Sequence, residues 1–195
     1  MTTHISDLNG LVIFHSGHGH TKRQAQSVAD GAQAGLLEID AQGSLPESAW
    51  QDIDRADYVI FGSPTYMGGP SWQFKKFADA SSSRWFSDAW KDKVFGGFTN
   101  SASLNGDKLA TLQYFTILAA QHRGIWVGVA MKPSNTKASQ RDDINRLGSF
   151  LGPMAQTPSD AAVDEMSPGD LETARRYGVR VAEVSARLML AVPHG

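Results

Sequence analysis

Three short stretches combine small, hydroxyl-bearing and flexible residues in a way that suits an anion and a flat ring: Ser16-Gly17-His18-Gly19-His20-Thr21, Ser63-Pro64-Thr65-Tyr66-Met67-Gly68-Gly69 and Thr99-Asn100-Ser101-Ala102-Ser103-Leu104-Asn105-Gly106. In the first, Gly17 and Gly19 let the backbone bend close to an anion, while Ser16 and Thr21 offer hydroxyls where a helix is about to begin. Free N–H groups and the dipole at a helix N-terminus favour negative charge there. In the second, Pro64 stiffens the approach, Tyr66 and Met67 supply an aromatic and a thioether, and Gly68-Gly69 let backbone amides reach a polar rim. The third supplies small side chains, hydroxyls and amides. Each loop alone is more often a plain turn. It is their conjunction that describes a pocket with a phosphate end and a flat middle.

Competing chemistries fall away on the same residues. A dinucleotide fingerprint G-x-G-x-x-G would need glycine where Lys22 stands, and no GK[ST] follows to make a Walker A loop. Asp40, about twenty residues beyond the glycines, keeps a dinucleotide reading open. The chain has no cysteine, which removes disulfides, thiol nucleophiles and thiolate clusters, so redox chemistry would come from a bound cofactor. His15, His18 and His20 lack a clear carboxylate partner and read as hydrogen-bonding groups beside the first loop, so no metal is expected. The ligand that fits a phosphate end and a flat middle is FMN.

The elements that would position these loops alternate along the chain. Leu11-Val12-Ile13-Phe14 is an unbroken apolar run of the kind buried on both faces of a parallel sheet. Ala25, Val28, Ala29 and Ala32 then fall at helical spacing between Thr21 and Ala34. Leu36–Ile39 and Tyr58–Phe61 read as the second and third strands, linked through a short segment from Glu47 to Arg55. Phe74, Phe77 and Ala78 mark a helix, Val94–Phe98 a fourth strand, Leu109 to Ala119 a buried helix, and Ile125–Val129 a fifth strand. Such alternation implies an α/β fold, a doubly wound five-stranded parallel sheet. In such sheets ligands sit beyond the carboxyl ends of the strands, where all three loops fall. The final helix opens at Ser167-Pro168-Gly169-Asp170 with a serine cap and proline in the first turn, and its stripe runs from Leu171 through Ala174, Gly178, Val181, Ala182 and Ser185 to Leu188 and Met189. Between it and the fifth strand, Met131 to Met166 carries Pro133, Pro153 and Pro158 and little periodicity, a long irregular stretch of the sort that is usually functional.

The 195 residues fit one domain spanning 1–195. A net charge of −2 with no basic stripe gives no reason to expect nucleic acid. Met1 to Asp7 shows neither a positive nor an apolar signal segment, and no apolar stretch approaches the ~20 residues of a membrane helix, which points to a cytoplasmic protein without membrane insertion.

With these residues in view, the chain resembles the flavodoxin-like superfamily, and within it the WrbA-type NAD(P)H:quinone oxidoreductases, over nearly its whole length. The resemblance is carried by Ser16 to Thr21, Gly62-Ser63-Pro64-Thr65-Tyr66-Met67-Gly68, Asp79 to Trp85 followed by Lys91-Asp92-Lys93, His122-Arg123-Gly124, and Ala174-Arg175-Arg176-Tyr177-Gly178. It implies strand order 2-1-3-4-5, FMN as cofactor, NAD(P)H as co-substrate, a quinone or similar small acceptor, and a homo-oligomer (tetramer or dimer) whose subunits help build each other's sites. It also implies catalytic parts for Trp85 and His122. The cofactor residues expected on these grounds are Ser16, Gly17, His18, Gly19, His20, Thr21, Pro64, Thr65, Tyr66, Met67, Gly68, Thr99, Asn100, Ser101, Ala102, Gly106 and His122. The chain departs from the family where Tyr66-Met67-Gly68-Gly69 replaces Arg-Phe-Gly-Asn, and where Ala102-Ser103-Leu104 replaces glycines.

Two readings stay open for two residues. Trp85 is either a lid over the flavin or a core anchor, and the loop-like Ser81-Ser82-Ser83-Arg84 favours the lid. His122 either donates a hydrogen bond or proton to the acceptor, or merely closes a helix C-terminus. For the whole chain the expectation is an enzyme passing two electrons from NAD(P)H to a quinone. The alternatives are a flavodoxin-type electron carrier, which a strongly acidic surface would suit, and a non-catalytic FMN-binding module.

Overall fold

A computed structural model describes residues 7–191; the reading of the first six residues as free of a signal segment lies outside them. Strands β1 (Gly10–Phe14), β2 (Gly35–Glu38), β3 (Tyr58–Tyr66) and β5 (Val94–Ser101) form a parallel sheet in the order β2-β1-β3-β5, which β6 (Ile125–Trp126) extends. With β4 (Gly69–Pro70) counted as a short hairpin arm on β3, this is the expected order of the five main strands. Register is fixed by the apolar runs: Ile13 lies beside Phe61, and Phe61 beside Gly97. β3 is buried from Tyr58 through Thr65, as its lack of alternation requires.

Successive residues of each strand feed two cores. Val12, Phe14, Tyr58, Ile60 and Phe98 pack under α1 (His20–Ala32) and α6 (Pro168–Ala191) with Ala25, Val28, Ala174, Tyr177 and Val181. Ile13, Val59, Phe61 and Phe95 pack under α2 (Glu47–Arg55), α3 (Trp72–Ala80) and α5 (Lys108–Gln121) with Trp50, Ile53, Phe74, Phe77 and Phe115. Helices therefore cover both faces. The linking segment Glu47–Arg55 is itself one of these helices. A short α4 (Ser82–Phe86) follows α3. The Ser167 hydroxyl accepts from the Asp170 amide at 3.4 Å and so caps α6. The buried stripe of that helix ends at Ala186, and Leu188 and Met189 are exposed.

The fifth strand differs from the expectation of Ile125–Val129. Ile125 and Trp126 pair with β5, opposite its first two residues, and the Val127 amide still donates to the Phe95 carbonyl at 2.9 Å, but Val129 instead donates to the Phe150 carbonyl. The carboxyl half of β5 is paired by β7 (Met154–Gln156), with Thr99 beside Met154 and Ser101 beside Gln156. The long segment 131–153 is thus an insertion within the edge position of the sheet. Its return strand leads directly to the carboxyl edge, where the three loops lie. Among the described residues no helix is long and apolar enough to cross a membrane.

Candidate functional site

The first loop leaves β1 and enters α1 through Gly19, whose φ of 88° is the left-handed conformation that glycine accepts without steric cost. The Ser16 hydroxyl accepts from the amides of Gly19 and Lys22, both at 3.1 Å, and fixes the curl of the loop. The amides of Gly17, His18, His20 and Thr21 have no acceptor among the described residues. Thr21 is 2 % exposed, yet its hydroxyl also has no partner among them. Four N–H groups without acceptors and a hydroxyl, at the start of a thirteen-residue helix whose dipole is positive there, make a place suited to an anion. The His20 ring is tied through Nε2 to the Ala161 carbonyl at 3.0 Å, and His18 meets the Tyr66 ring edge-on at 6.4 Å.

The second loop is tighter than its sequence suggests. β3 continues through Tyr66, and Met67 (φ 47°) and Gly68 (φ 77°) make a two-residue hairpin turn into β4, the geometry that needs positive φ at both central positions. Pro64, Thr65 and Tyr66 therefore face the site from a strand. Met67 is fully exposed at the turn tip, and a Cβ on Gly68 would meet nothing within 4 Å, so neither lines the cleft. Gly68 is required by its backbone angle and not by close approach. Burial raises the Tyr66 phenol above its ordinary pKa, which keeps it a proton donor at neutral pH.

The third loop is supported from behind. Thr99 is buried, its hydroxyl donating to the Ser63 carbonyl (2.7 Å) and joined to that of Thr65 (2.8 Å), so it braces two strands and does not line the cleft. Asn100 takes the Thr157 hydroxyl on Oδ1 at 3.0 Å, and its own amide nitrogen has no partner among the described residues. Lys108, wholly buried at the start of α5, donates to the Ser101 hydroxyl and to two loop carbonyls.

These pieces enclose one cleft of about 460 Å³, well within the usual size of a small-molecule site. His18, His20 and Thr21 line it from the first loop, Pro64, Thr65 and Tyr66 from the second strand end, and Asn100, Ser101, Ala102, Ser103 and Gly106 from the third loop. Ser16, Gly17 and Gly19 shape the first loop from outside that lining. Sequence reasoning missed Thr157 and Ser159, which come from the far end of the insertion and close the fourth side. The available signal was Gln156-Thr157-Pro158-Ser159, a hydroxyl-rich turn after a short apolar stretch. Among the described residues no three His, Asp or Glu side chains gather to hold a metal.

His122 and Trp85 are not in this cleft. α5 begins beside the third loop at Lys108 and runs back for fourteen residues, about 20 Å, to the amino edge of the sheet, where His122 ends it. The ring packs on Trp90 at 4.4 Å between centroids, and Nε2 is 2.8 Å from the Ser81 hydroxyl. That hydroxyl gives its one proton to the Ala78 carbonyl at 2.7 Å, so Nε2 of His122 carries the proton and the buried Nδ1 is left without a partner. Burial also lowers the His122 pKa. Trp85, on α4, lies near it under the Arg123 guanidinium (5.7 Å), half-exposed beside Phe86. Both were expected over the open flavin face; within a single chain this topology sets them apart from it, because a helix returning from the carboxyl edge must end at the opposite one.

The family described as NADPH-dependent FMN reductase matches residues 38–135. A protein of Pseudomonas aeruginosa (strain UCBPP-PA14) described as flavodoxin FldP is 56 % identical over 178 residues, covering 91 % of this chain and 97 % of that protein. An NAD(P)H dehydrogenase (quinone) of Archaeoglobus fulgidus is 32 % identical over 203 residues, covering 91 % and 97 %. Among solved structures, the WrbA-like flavodoxin of Agrobacterium tumefaciens superimposes with a TM-score of 0.77 at 56 % identity, covering 92 % of this chain and 98 % of that one. An archaeal flavodoxin, 17 % identical with a TM-score of 0.57 and covering 91 % and 99 %, shares the fold.

Proposed function

This chain belongs to the flavodoxin-like family of WrbA-type proteins, and from that premise we propose that it binds FMN in the three-loop cleft and passes two electrons from NAD(P)H to a quinone. The observation that carries the reading is the set of unpartnered donors: the amides of residues 18, 20 and 21 in one loop and of 102 and 103 in another, all bordering one cleft and all without acceptors among the described residues. His18, Ala102 and Ser103 are exposed, so water satisfies their amides in the free chain; what the array offers is a set of donors already oriented at a helix start and a loop for a ligand that accepts from them. FMN, with a dianionic phosphate and a ring whose rim is rich in acceptors, fits both sets.

When bound, FMN would supply the hydride and electron transfer that no side chain here can perform. The protein's part is to hold and polarise. The first-loop amides and the Thr21 hydroxyl would take the phosphate; Pro64, Thr65 and Tyr66 would flank the ring; the amides of Ala102 and Ser103 would donate to its acceptor edge. Thr157 and Ser159 would shield the remaining side from water. Trp85 and His122 stand at the amino edge, so a part for them in the reaction requires the cleft of another copy in a homo-oligomer. Exposed Phe86 (80 %) beside Trp85 is the surface on which such a contact would form.

One observation favours a second reading: the relative at 56 % identity is described as a flavodoxin, a name that goes with carrying electrons between proteins. Anaerobic titration of the FMN-loaded chain separates the two. Under the reductase reading, NADH or NADPH bleaches the flavin absorbance within seconds and benzoquinone restores it. A carrier stays oxidised until a partner reductase is added.

A further inference from the structure

The third loop is held by side chains that reach it from behind. The Lys108 ammonium donates to the Ser101 hydroxyl at 2.9 Å and to the carbonyls of Ser103 at 2.6 Å and Leu104 at 3.0 Å, which uses all its protons. The Gln156 side-chain amide donates to the Ala102 carbonyl at 2.7 Å, and the Thr157 amide to the Ser101 carbonyl at 3.1 Å. Every carbonyl from Ser101 to Leu104 is thus taken by a protein donor. The amides of Ala102, Ser103 and Leu104 are left with no acceptor among the described residues.

Lys108 occupies an unfavourable place for a cation. It is wholly buried, and it is the first residue of α5, where the helix dipole is positive. Burial pushes its pKa down to about 8. The charge that acts against this is the Asp170 carboxylate of α6, but that group already binds the Arg141 guanidinium (3.0 and 3.3 Å) and the Gln156 amide (3.0 Å). Asp107, its chain neighbour, is exposed. A loop could be pinned at less cost by a neutral donor. What a neutral donor does not supply is positive charge behind a row of free amides.

We propose that Lys108 sets the redox poise of the cleft: its charge, relayed through the amides it orients, favours the reduced form of the bound flavin over the oxidised form. The proposal rests on the FMN reading above. Accepting a hydride, which is two electrons and one proton, leaves the neutral ring system with one negative charge on its pyrimidine edge. That edge is the acceptor-rich one that donors such as the Ala102 and Ser103 amides would bind. A fixed positive charge behind them stabilises the ring after hydride transfer more than before it. Lys108 does not touch the cleft, so it is a positioning residue.

The test is the midpoint potential of bound FMN in the wild-type chain, Lys108→Met and Lys108→Arg, by equilibration with redox dyes, beside the affinity for oxidised FMN. Lys108→Met is expected to bind oxidised FMN within a few-fold of wild type but to hold the reduced form at least about tenfold more weakly, a potential more negative by about 30 mV for a two-electron couple. Lys108→Arg is expected to restore most of the shift, and the gap between wild type and Lys108→Met to narrow as pH rises above about 8, where Lys108 loses its proton. If Lys108→Met does not fold, Lys108→Gln, which keeps a neutral donor, serves the same comparison. Wild-type potential in the neutral variants, or an equal shift in Lys108→Arg, overturns the proposal while leaving FMN binding intact. A wild-type chain that fails to bind FMN overturns the reading beneath it, and the proposal with it.

Discussion

The Tyr66 hydroxyl rests against Gly17, so close that a Cβ on Gly17 would stand 2.6 Å from the oxygen. The phenol at the end of the third strand thereby closes onto the anion cradle, and the glycine is needed for that approach. Because the atom it would meet is the far end of a movable side chain, Gly17→Ala should swing Tyr66 outward and leave the fold within about 1 kcal/mol of wild type. Thermal unfolding should be nearly unchanged while FMN affinity falls several-fold. A large loss of melting temperature would show that Tyr66 is fixed and structural.

Thr21→Val should weaken FMN more than Ser101→Ala. The Thr21 hydroxyl has no partner to lose among the described residues, so its substitution should remove only a bond to the phosphate, charge-assisted and worth about 1.5–3 kcal/mol, or about tenfold to a hundredfold in affinity. Ser101 already serves Lys108 at 2.9 Å, so its loss is felt inside the loop and should cost about 0.5–1.5 kcal/mol. Calorimetric titration of both variants with FMN checks the order.

Gly178→Ala should destabilise the fold without altering the cleft. α1 and α6 meet so closely that a Cβ on Gly178 would lie 2.1 Å from the Val28 carbonyl oxygen, and one on Gly31 would lie 1.9 Å from that of Arg175. Backbone oxygens inside helices cannot turn aside. The helices must separate, at a cost of about 1–3 kcal/mol or more, read as a lower midpoint in denaturant with FMN binding retained under native conditions.

Acid should destabilise the chain through His122 and His15. Burial lowers both pKa values in the folded state, with Glu38 partly opposing this at His15. Near pH 6 the unfolded chain therefore binds more protons, so stability is fully present above the unfolded value of about 6.5 and is lost as pH falls below it. His122→Gln should flatten that dependence below about pH 6.5. An unchanged slope in the variant would place the acid sensitivity elsewhere.

Much of this was legible in the residues. Short unbroken runs such as Leu11–Phe14 and Tyr58–Phe61, bounded by turn residues and rich in β-branched and aromatic side chains, suit strands covered on both faces, and the glycines that end them put three loops on one edge. Thr157 and Ser159 were hidden because β7 is three residues long and its pairing with β5 spans the whole insertion. Lys108 reads in sequence as a surface lysine on a new helix; its burial is set by how the third loop folds back, which no local pattern encodes. His122 was placed beside the flavin by family likeness, while the alternation of strands and helices already put the end of α5 at the far edge. Its blander reading, closing a helix, is what the structure shows at His122 itself.

The central claim is that the cleft is built for a flavin that carries a phosphate. Titrating the apoprotein with FMN and with riboflavin, by quenching of flavin fluorescence, tests it directly. One FMN should bind per chain, and riboflavin at least about a hundredfold more weakly, the difference vanishing in part with Thr21→Val. Equal affinity for the two, or no binding of either, would contradict it.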